Sequence, residues 1–153
     1  MANPPDVGDV APDFTLPSTA GSFHLKDRLK DHAVLLVFYP GDDTPVCTKQ
    51  LCDYRDNLGV FAGLGVDVVA LNPQPMASHE KFSAKYQLPF PLASDADKQV
   101  CEQYGAVGFL GMTKRALVLV GRDGRVKYRR TDFPIFRRTA EELRDVIKQL
   151  KLG

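Results

Sequence analysis

Three stretches of this chain are almost continuously apolar, and each is too short to be a buried helix. AVLLVFYP (Ala33 to Pro40) and VDVVAL (Val66 to Leu71) show the pattern of strands covered on both faces, and RALVLV (Arg115 to Val120) reads as a core strand. Pro40 closes the first, since proline cannot donate to a strand ladder. Between the first two the spacing turns helical over Val46 to Ala62, with Thr44 placed as N-cap, Pro45 at the first helical position, and Gly63 and Gly65 as stops. A second helix is predicted over Ala77 to Tyr86, with Phe82 and Tyr86 on one face. Pro91 to Ala93 then leads through Ser94, read as a cap, into a third helix reaching Tyr104.

Arg125 to Arg130 alternates and lies across Asp123-Gly124 from the Arg115 strand, which predicts a hairpin. The last element is a helix over Thr139 to Leu150, with Thr139 and Glu142 in capping-box spacing. At the other end, Pro4 to Pro12 is a Pro/Gly/Asp-rich lead-in to a short strand at Phe14 to Leu16, with Phe23 to Leu25 as its partner. Strands alternating with helices, then a hairpin and a covering helix, predict an α/β three-layer sandwich around a central mixed β-sheet. The 153 residues suit a single domain over 1–153.

Charge narrows the function. Lys plus Arg number 20 against 19 Asp plus Glu, a net charge of +1 that gives nothing to attract nucleic acid or an anionic membrane. The period-two cluster Arg125, Lys127, Arg129 reads as an exposed edge strand guarded against pairing. The longest apolar run, Ala33 to Phe38, is far short of a membrane span, and MANPPDVGDVAPDF lacks the features of a secretory signal, so a cytoplasmic location is expected. Three cysteines are too few, and odd in number, for a secreted disulfide framework, which directs attention to thiol chemistry.

The informative stretch is YPGDDTPVCTKQLC, Tyr39 to Cys52. A helix starting near Pro45 places Cys47 in its first turn, where free N–H groups and the helix dipole favour a thiolate nucleophile. Thr44 offers a hydroxyl that can donate to one incoming oxygen and accept from another, and Pro40 shields the sulfur without adding a donor. A thiolate attacking a peroxide also needs positive charge for the departing oxygen. Arg115, unexpected at the head of a core strand, is the candidate; the alternative is a strand-end arginine pointing into solvent. Cys52 lies five residues after Cys47, so in an intact helix their Cα atoms stand roughly 8.7 Å apart, whereas a disulfide needs less than about 7 Å. A bridge between them therefore requires the first turns of the helix to unwind. Cys101, next to Val100 and near Tyr104, is read as core packing, and His24, His32 and His79 as non-catalytic. Two cysteines five apart match neither a thioredoxin-like redox pair nor a zinc knuckle, so neither metal nor cofactor is expected.

These residues resemble a known family. Pro40, Thr44 and Cys47 reproduce the P-x-x-x-T-x-x-C signature of peroxiredoxins, and YPGDDTPVCTKQLCDYRD is similar to the bacterioferritin-comigratory-protein, or peroxiredoxin Q, branch. The likeness extends through GDVAPDFTL, SHEKFSAKYQLPFPLASD and GMTKRALVLVGRDG. It implies a thioredoxin-like fold with an N-terminal extension and thiol-dependent reduction of hydrogen peroxide and organic hydroperoxides. Cys47 is then the peroxidatic cysteine, oxidised to a sulfenic acid; Thr44 and Arg115 bind the peroxide, and Pro40 shields the pocket. Cys52 takes the resolving position, with Cys101 as its rival, and thioredoxin or a similar dithiol protein is the implied reductant. A monomer is expected, because the branch is often monomeric and no segment shows a large exposed apolar seam; resistance to over-oxidation is expected because the sequence ends at Gly153, soon after its last helix, without the long C-terminal extension of hyperoxidation-sensitive members. Two departures stand out: Gln50 where the branch often carries Glu, and LNPQP in place of a Ser-Asp-containing turn. The other readings are a general thiol–disulfide oxidoreductase and a redox-switched chaperone on the same fold.

Overall fold

The structure is a computed structural model, and it describes residues 4–108, 111–132 and 138–150. Seven strands form one open mixed sheet: β1 (Thr15–Ser18), β2 (Gly21–His24), β3 (Ala33–Phe38), β4 (Val66–Asn72), β5 (Leu92–Ser94), β6 (Arg115–Val120) and β7 (Val126–Asp132). Their order is β2-β1-β5-β4-β3-β6-β7. β3, β4 and β5 run parallel, while β6, β7 and the β1–β2 hairpin are antiparallel additions on either side.

The three apolar runs become β3, β4 and β6, adjacent at the centre, with Leu35 beside both Val68 and Leu119. Their side chains feed two cores. Leu35, Val37, Val68 and Leu117 face one layer, made by helices α2 (Pro45–Asp56), α3 (Leu58–Gly63), α4 (Met76–Tyr86) and α6 (Ala140–Leu150). Val34, Leu36, Phe38 and Val118 face the other, made by α1 (Leu25–Arg28), α5 (Gln99–Gln103) and the N-terminal segment around Phe14. Full burial of each such side chain is worth about 1.5–3 kcal/mol, which is why a central strand carries so few polar residues. The expected three-layer α/β sandwich with a mixed sheet is the fold observed.

Several boundaries differ from the pattern. Leu25 opens the one-turn helix α1 instead of ending a strand, and the hairpin is β1–β2, Thr15–Ser18 with Gly21–His24. The long helix breaks at Asn57, whose Nδ2 donates to Asp53 O at 2.8 Å; a side-chain amide that takes a backbone carbonyl competes with helix continuation. Ser94 is not a helix cap: it sits in β5 and donates to Gln74 O at 2.7 Å. Asp95 caps α5 instead, accepting from the N–H groups of Val100 and Cys101 at 3.2 and 2.7 Å. At α6, Thr139 Oγ1 accepts from Glu142 N–H at 3.2 Å, while the Glu142 carboxylate pairs with Arg138.

β7 is a sheet edge, but the charges along it and at Arg125 just before it are not simply solvated. Arg125 donates to Gly8 O at 2.8 Å and Arg129 to Tyr104 O at 2.7 Å, and the backbone of Gly8 to Ala11 bonds to Val126 and Gly124. The basic stripe ties the N-terminal lead-in over the edge, and only Lys127, paired with Asp123, keeps the purely surface role. Gly124, at φ 80°, makes the hairpin turn that a β-carbon would strain.

Candidate active site

α2 begins where the sequence places it. Thr44 occupies the N-cap position in extended backbone, Pro45 is the first helical residue, and Thr48 N–H makes the first helical bond, to Thr44 O at 2.8 Å. The amides of Val46 and Cys47 thus lie in the turn that has no intrahelical acceptors. Thr44 does not cap with its side chain; its Oγ1 donates to Gly41 O at 3.2 Å, tightening the loop and leaving the hydroxyl oxygen able to accept. Thr44 is exposed and Pro40 half-buried, whereas Cys47 is fully buried beneath them.

Cys47, Gln50, Leu51 and Tyr54 share the buried face of α2, as their spacing of three, four and seven requires. Arg115 comes to meet that face from β6. Ala116 stands opposite Phe38 and points into the other core, so alternation sends Arg115 toward α2 at the end of β3. Its Nη2 donates to Cys47 Sγ at 3.1 Å and its Nη1 to Gln50 Oε1, with the side chain nearly inaccessible. The solvent-facing alternative for Arg115 is excluded. Gln50 Nε2 donates to Tyr54 Oη at 3.1 Å, and Tyr54 Oη to Arg138 O at 2.7 Å. A buried cation thus reaches the sulfur with its fork fixed by a chain of hydrogen bonds from β6 through α2 to the start of α6.

Cys52 lies off this face, half-buried, and lines a hollow of about 480 Å³ with Lys49, Asp56 and Glu141. All three cysteines are free thiols. Cys101 is on the opposite side of the sheet from Cys47, in the α5 layer. Burial pushes its thiol far up, and the hydrogen bond and charge of Asp95 push it further, so it is held neutral. His24 pairs with Asp13 and Asp27, and His32 with Asp67, all toward the surface.

His79 is different: it is fully buried and bonded to Asp42 in the loop between Pro40 and Thr44. The sequence held a signal for this, since His79 falls three and seven residues before Phe82 and Tyr86 and so shares their inward face. Tyr39, Asp42, Gln74, Ser78 and Tyr54 also surround the site without having been singled out as site residues. Among the described residues no cluster of three or more His, Cys, Asp or Glu could hold a metal, and no helix is long and apolar enough to cross a membrane.

This arrangement has relatives. Residues 7–129 match the model of the AhpC/TSA family. The chain belongs to that family. It is 46% identical over 102 residues to a putative peroxiredoxin bcp of Coxiella burnetii, covering 67% of this chain and 68% of the relative. Peroxiredoxin Bcp of Escherichia coli is 38% identical over 138 residues, covering 86% and 88% of the two chains. Among solved structures, peroxidoxin BcpB of Mycobacterium tuberculosis matches with a TM-score of 0.82 at 29% identity, over 96% of this chain and 97% of the other. A mutant of peroxiredoxin 6 of Arenicola marina matches with a TM-score of 0.90 at 26% identity, over 96% and 74%. As a peroxiredoxin the chain is a thiol-dependent peroxidase with a thioredoxin-like fold.

Proposed function

We propose that Cys47 is the peroxidatic nucleophile and that Cys52 resolves it. The carrying observation is Arg115 Nη2 at 3.1 Å from Cys47 Sγ in the first turn of α2. In that place a thiolate is favoured by the helix terminus and by a buried guanidinium, and the same guanidinium can follow negative charge onto a departing oxygen. The Cys47 thiolate attacks the terminal oxygen of a hydroperoxide; the O–O bond breaks, leaving a Cys47 sulfenic acid and an alkoxide or hydroxide that takes a proton from solvent. Thr44 and Arg115 orient the two peroxide oxygens, and Pro40 keeps water from the sulfur.

The Cys52 thiolate then attacks the sulfenic sulfur, forming an intramolecular disulfide and releasing hydroxide. Thioredoxin or a similar dithiol protein returns both thiols and leaves as its own disulfide. The half-buried Cys52 favours this role over Cys101, because the latter is separated from Cys47 by the sheet and held as a neutral thiol. The protein is read as a cytoplasmic monomer that needs no metal or cofactor.

The test is one equivalent of hydrogen peroxide added to the reduced protein, followed by thiol counting and peptide mass spectrometry. Loss of two of the three thiols with a Cys47–Cys52 link supports the reading. A Cys47–Cys101 link moves the resolving role, and three unreacted thiols overturn the proposal.

A further inference from the structure

Asp42 is gripped by residues that the peroxide chemistry does not use. Its carboxylate accepts from Tyr39 Oη at 2.5 Å and Ser78 Oγ at 2.6 Å, and lies 2.7 Å from His79 Nδ1. Its backbone N–H donates to Gln74 Oε1. Gln74 is itself fixed, its N–H bonded to Asn72 Oδ1 at 2.8 Å and its carbonyl accepting from Ser94 Oγ at 2.7 Å. The next residue, Asp43, sits at φ 57°, a strained backbone held by Lys85 Nζ and Tyr86 Oη, each 2.7 Å from its carboxylate. Both aspartates of the loop ahead of Cys47 are thus fastened to α4.

A proton count at His79 gives the pair its character. Nε2 lies 3.0 Å from Ala93 O, an acceptor only, so Nε2 carries hydrogen. Burial acts to raise the Asp42 carboxyl, but hydrogen bonds from His79, Ser78 and Tyr39 outweigh it and hold the group below its ordinary range. Asp42 is therefore an ionised acceptor, and Nδ1 must carry hydrogen as well. Both ring nitrogens of His79 thus face acceptors, and the two side chains are nearly inaccessible, with exposures of 0% and 4% for His79 and Asp42. The groups facing it are Tyr39 just after β3, Asp42 from the loop, Ser78 from its own helix and the Ala93 carbonyl from β5. Buried ion pairs add little net stability; their attested use is to select one arrangement of the chain.

We infer that the Asp42–His79 pair is a positioning device for peroxide reduction, locking the Gly41–Thr44 loop onto α4 so that Thr44 and Cys47 are held against Arg115. The inference rests on Cys47 being the peroxidatic residue. Attack needs the loop in place, whereas disulfide closure needs the start of α2 to let go. Breaking the pair therefore slows the first step and spares the second, a split that general loss of stability does not produce.

Nitrogen-15 NMR of the intact protein at neutral pH is expected to show both His79 ring nitrogens protonated; a neutral ring overturns the proposal. Rapid-mixing measurements then compare wild type with His79→Phe, which removes the pair, and His79→Asn, which keeps a donor without the charge. Oxidation of Cys47 by hydrogen peroxide is expected to fall roughly 10- to 100-fold in His79→Phe, with partial recovery in His79→Asn and disulfide closure no slower than wild type. Equal oxidation rates in wild type and His79→Phe overturn the inference. If His79→Phe does not fold, Ser78→Ala, which removes one donor to Asp42 from the solvent side, decides between a several-fold slower oxidation and none. A wild-type Cys47 that ignores peroxide would be a failure of the proposed function, and is seen before any variant is compared.

Discussion

Arg115 Nη2 meets Cys47 Sγ at 3.1 Å across 68 positions of sequence, with the other arm of the same guanidinium on Gln50 Oε1. The two contacts need a planar fork whose donors diverge by a fixed angle, which lysine cannot supply. Arg115→Lys is expected to lower the second-order rate of Cys47 oxidation by about 10²–10³, the usual cost of losing one preorganised donor to developing negative charge. Gln50→Ala, which removes an acceptor from a buried cation, is expected to cost about 1.5–3 kcal/mol of stability and to slow oxidation less. Rapid-mixing kinetics with chemical denaturation check both, and an unchanged rate in Arg115→Lys would remove Arg115 from the peroxide site.

Cys101 should be dispensable. It packs in the α5 layer, across the sheet from Cys47, and its thiol is kept neutral by burial and by Asp95. Cys101→Ala is expected to leave peroxide turnover with a dithiol reductant within about twofold of wild type, at a stability cost of about 1 kcal/mol. Cys52→Ser should instead keep the first oxidation and lose most recycling. The comparison of the two variants in one steady-state assay separates the resolving candidates.

What the chain discloses about itself follows from how far apart partners lie. Ala33 to Phe38, Val66 to Leu71 and Arg115 to Val120 were legible because strands buried on both faces leave no place for polar residues. Pro40, Thr44 and Cys47 were legible because their spacing is local. Arg115 was legible only as an anomaly, a charge at the head of an apolar run, and its burial had to come from the β3–β6 register. The Asn57 break and the Asp95 cap escaped because each depends on a side chain choosing a backbone partner over solvent. Asp42, Gln74 and His79 escaped for a different reason: they meet across 32 and 37 positions, and a polar loop residue gives no hint of where its partner is.

Asp42 also predicts an acid limit to stability. Its carboxyl is held below the ordinary 3.8 although burial alone would raise it, because His79, Ser78 and Tyr39 all donate to the charged form. A depressed carboxyl binds fewer protons folded than unfolded, so its contribution is complete above the unfolded value and disappears as pH falls through the folded one. Thermal unfolding between pH 6 and pH 2 should therefore show wild type losing stability below about pH 4, with Asp42→Asn flatter over that range. Parallel curves would mean that the pair is not charged in the folded protein.

The proposed resolving step makes the most demanding prediction, because the helix that carries Cys47 in its first turn also keeps Cys52 away from it. An intact α2 separates their Cα atoms by roughly 8.7 Å, beyond the reach of about 7 Å that a disulfide tolerates. Unwinding must begin at the Thr48–Thr44 bond, the first of the helix, and it must draw Gln50 off Arg115. It is also limited at its far end. Asp53 Oδ2 accepts from Ala140 N–H at 2.7 Å and Tyr54 Oη donates to Arg138 O, so opening past Cys52 would undock the start of α6. Hydrogen exchange on the disulfide form is expected to show the amides of Thr48 to Cys52 exchanging at least about tenfold faster than in the reduced protein, with α6 and the β3–β6 ladder unchanged. Faster exchange that spreads through α6 would mean that Asp53 and Tyr54 do not bound the opening. Full protection of the first turn in a protein shown to carry the Cys47–Cys52 bond would mean that the two cysteines reach each other by bending an intact helix, and the proposed local unfolding would have to be given up.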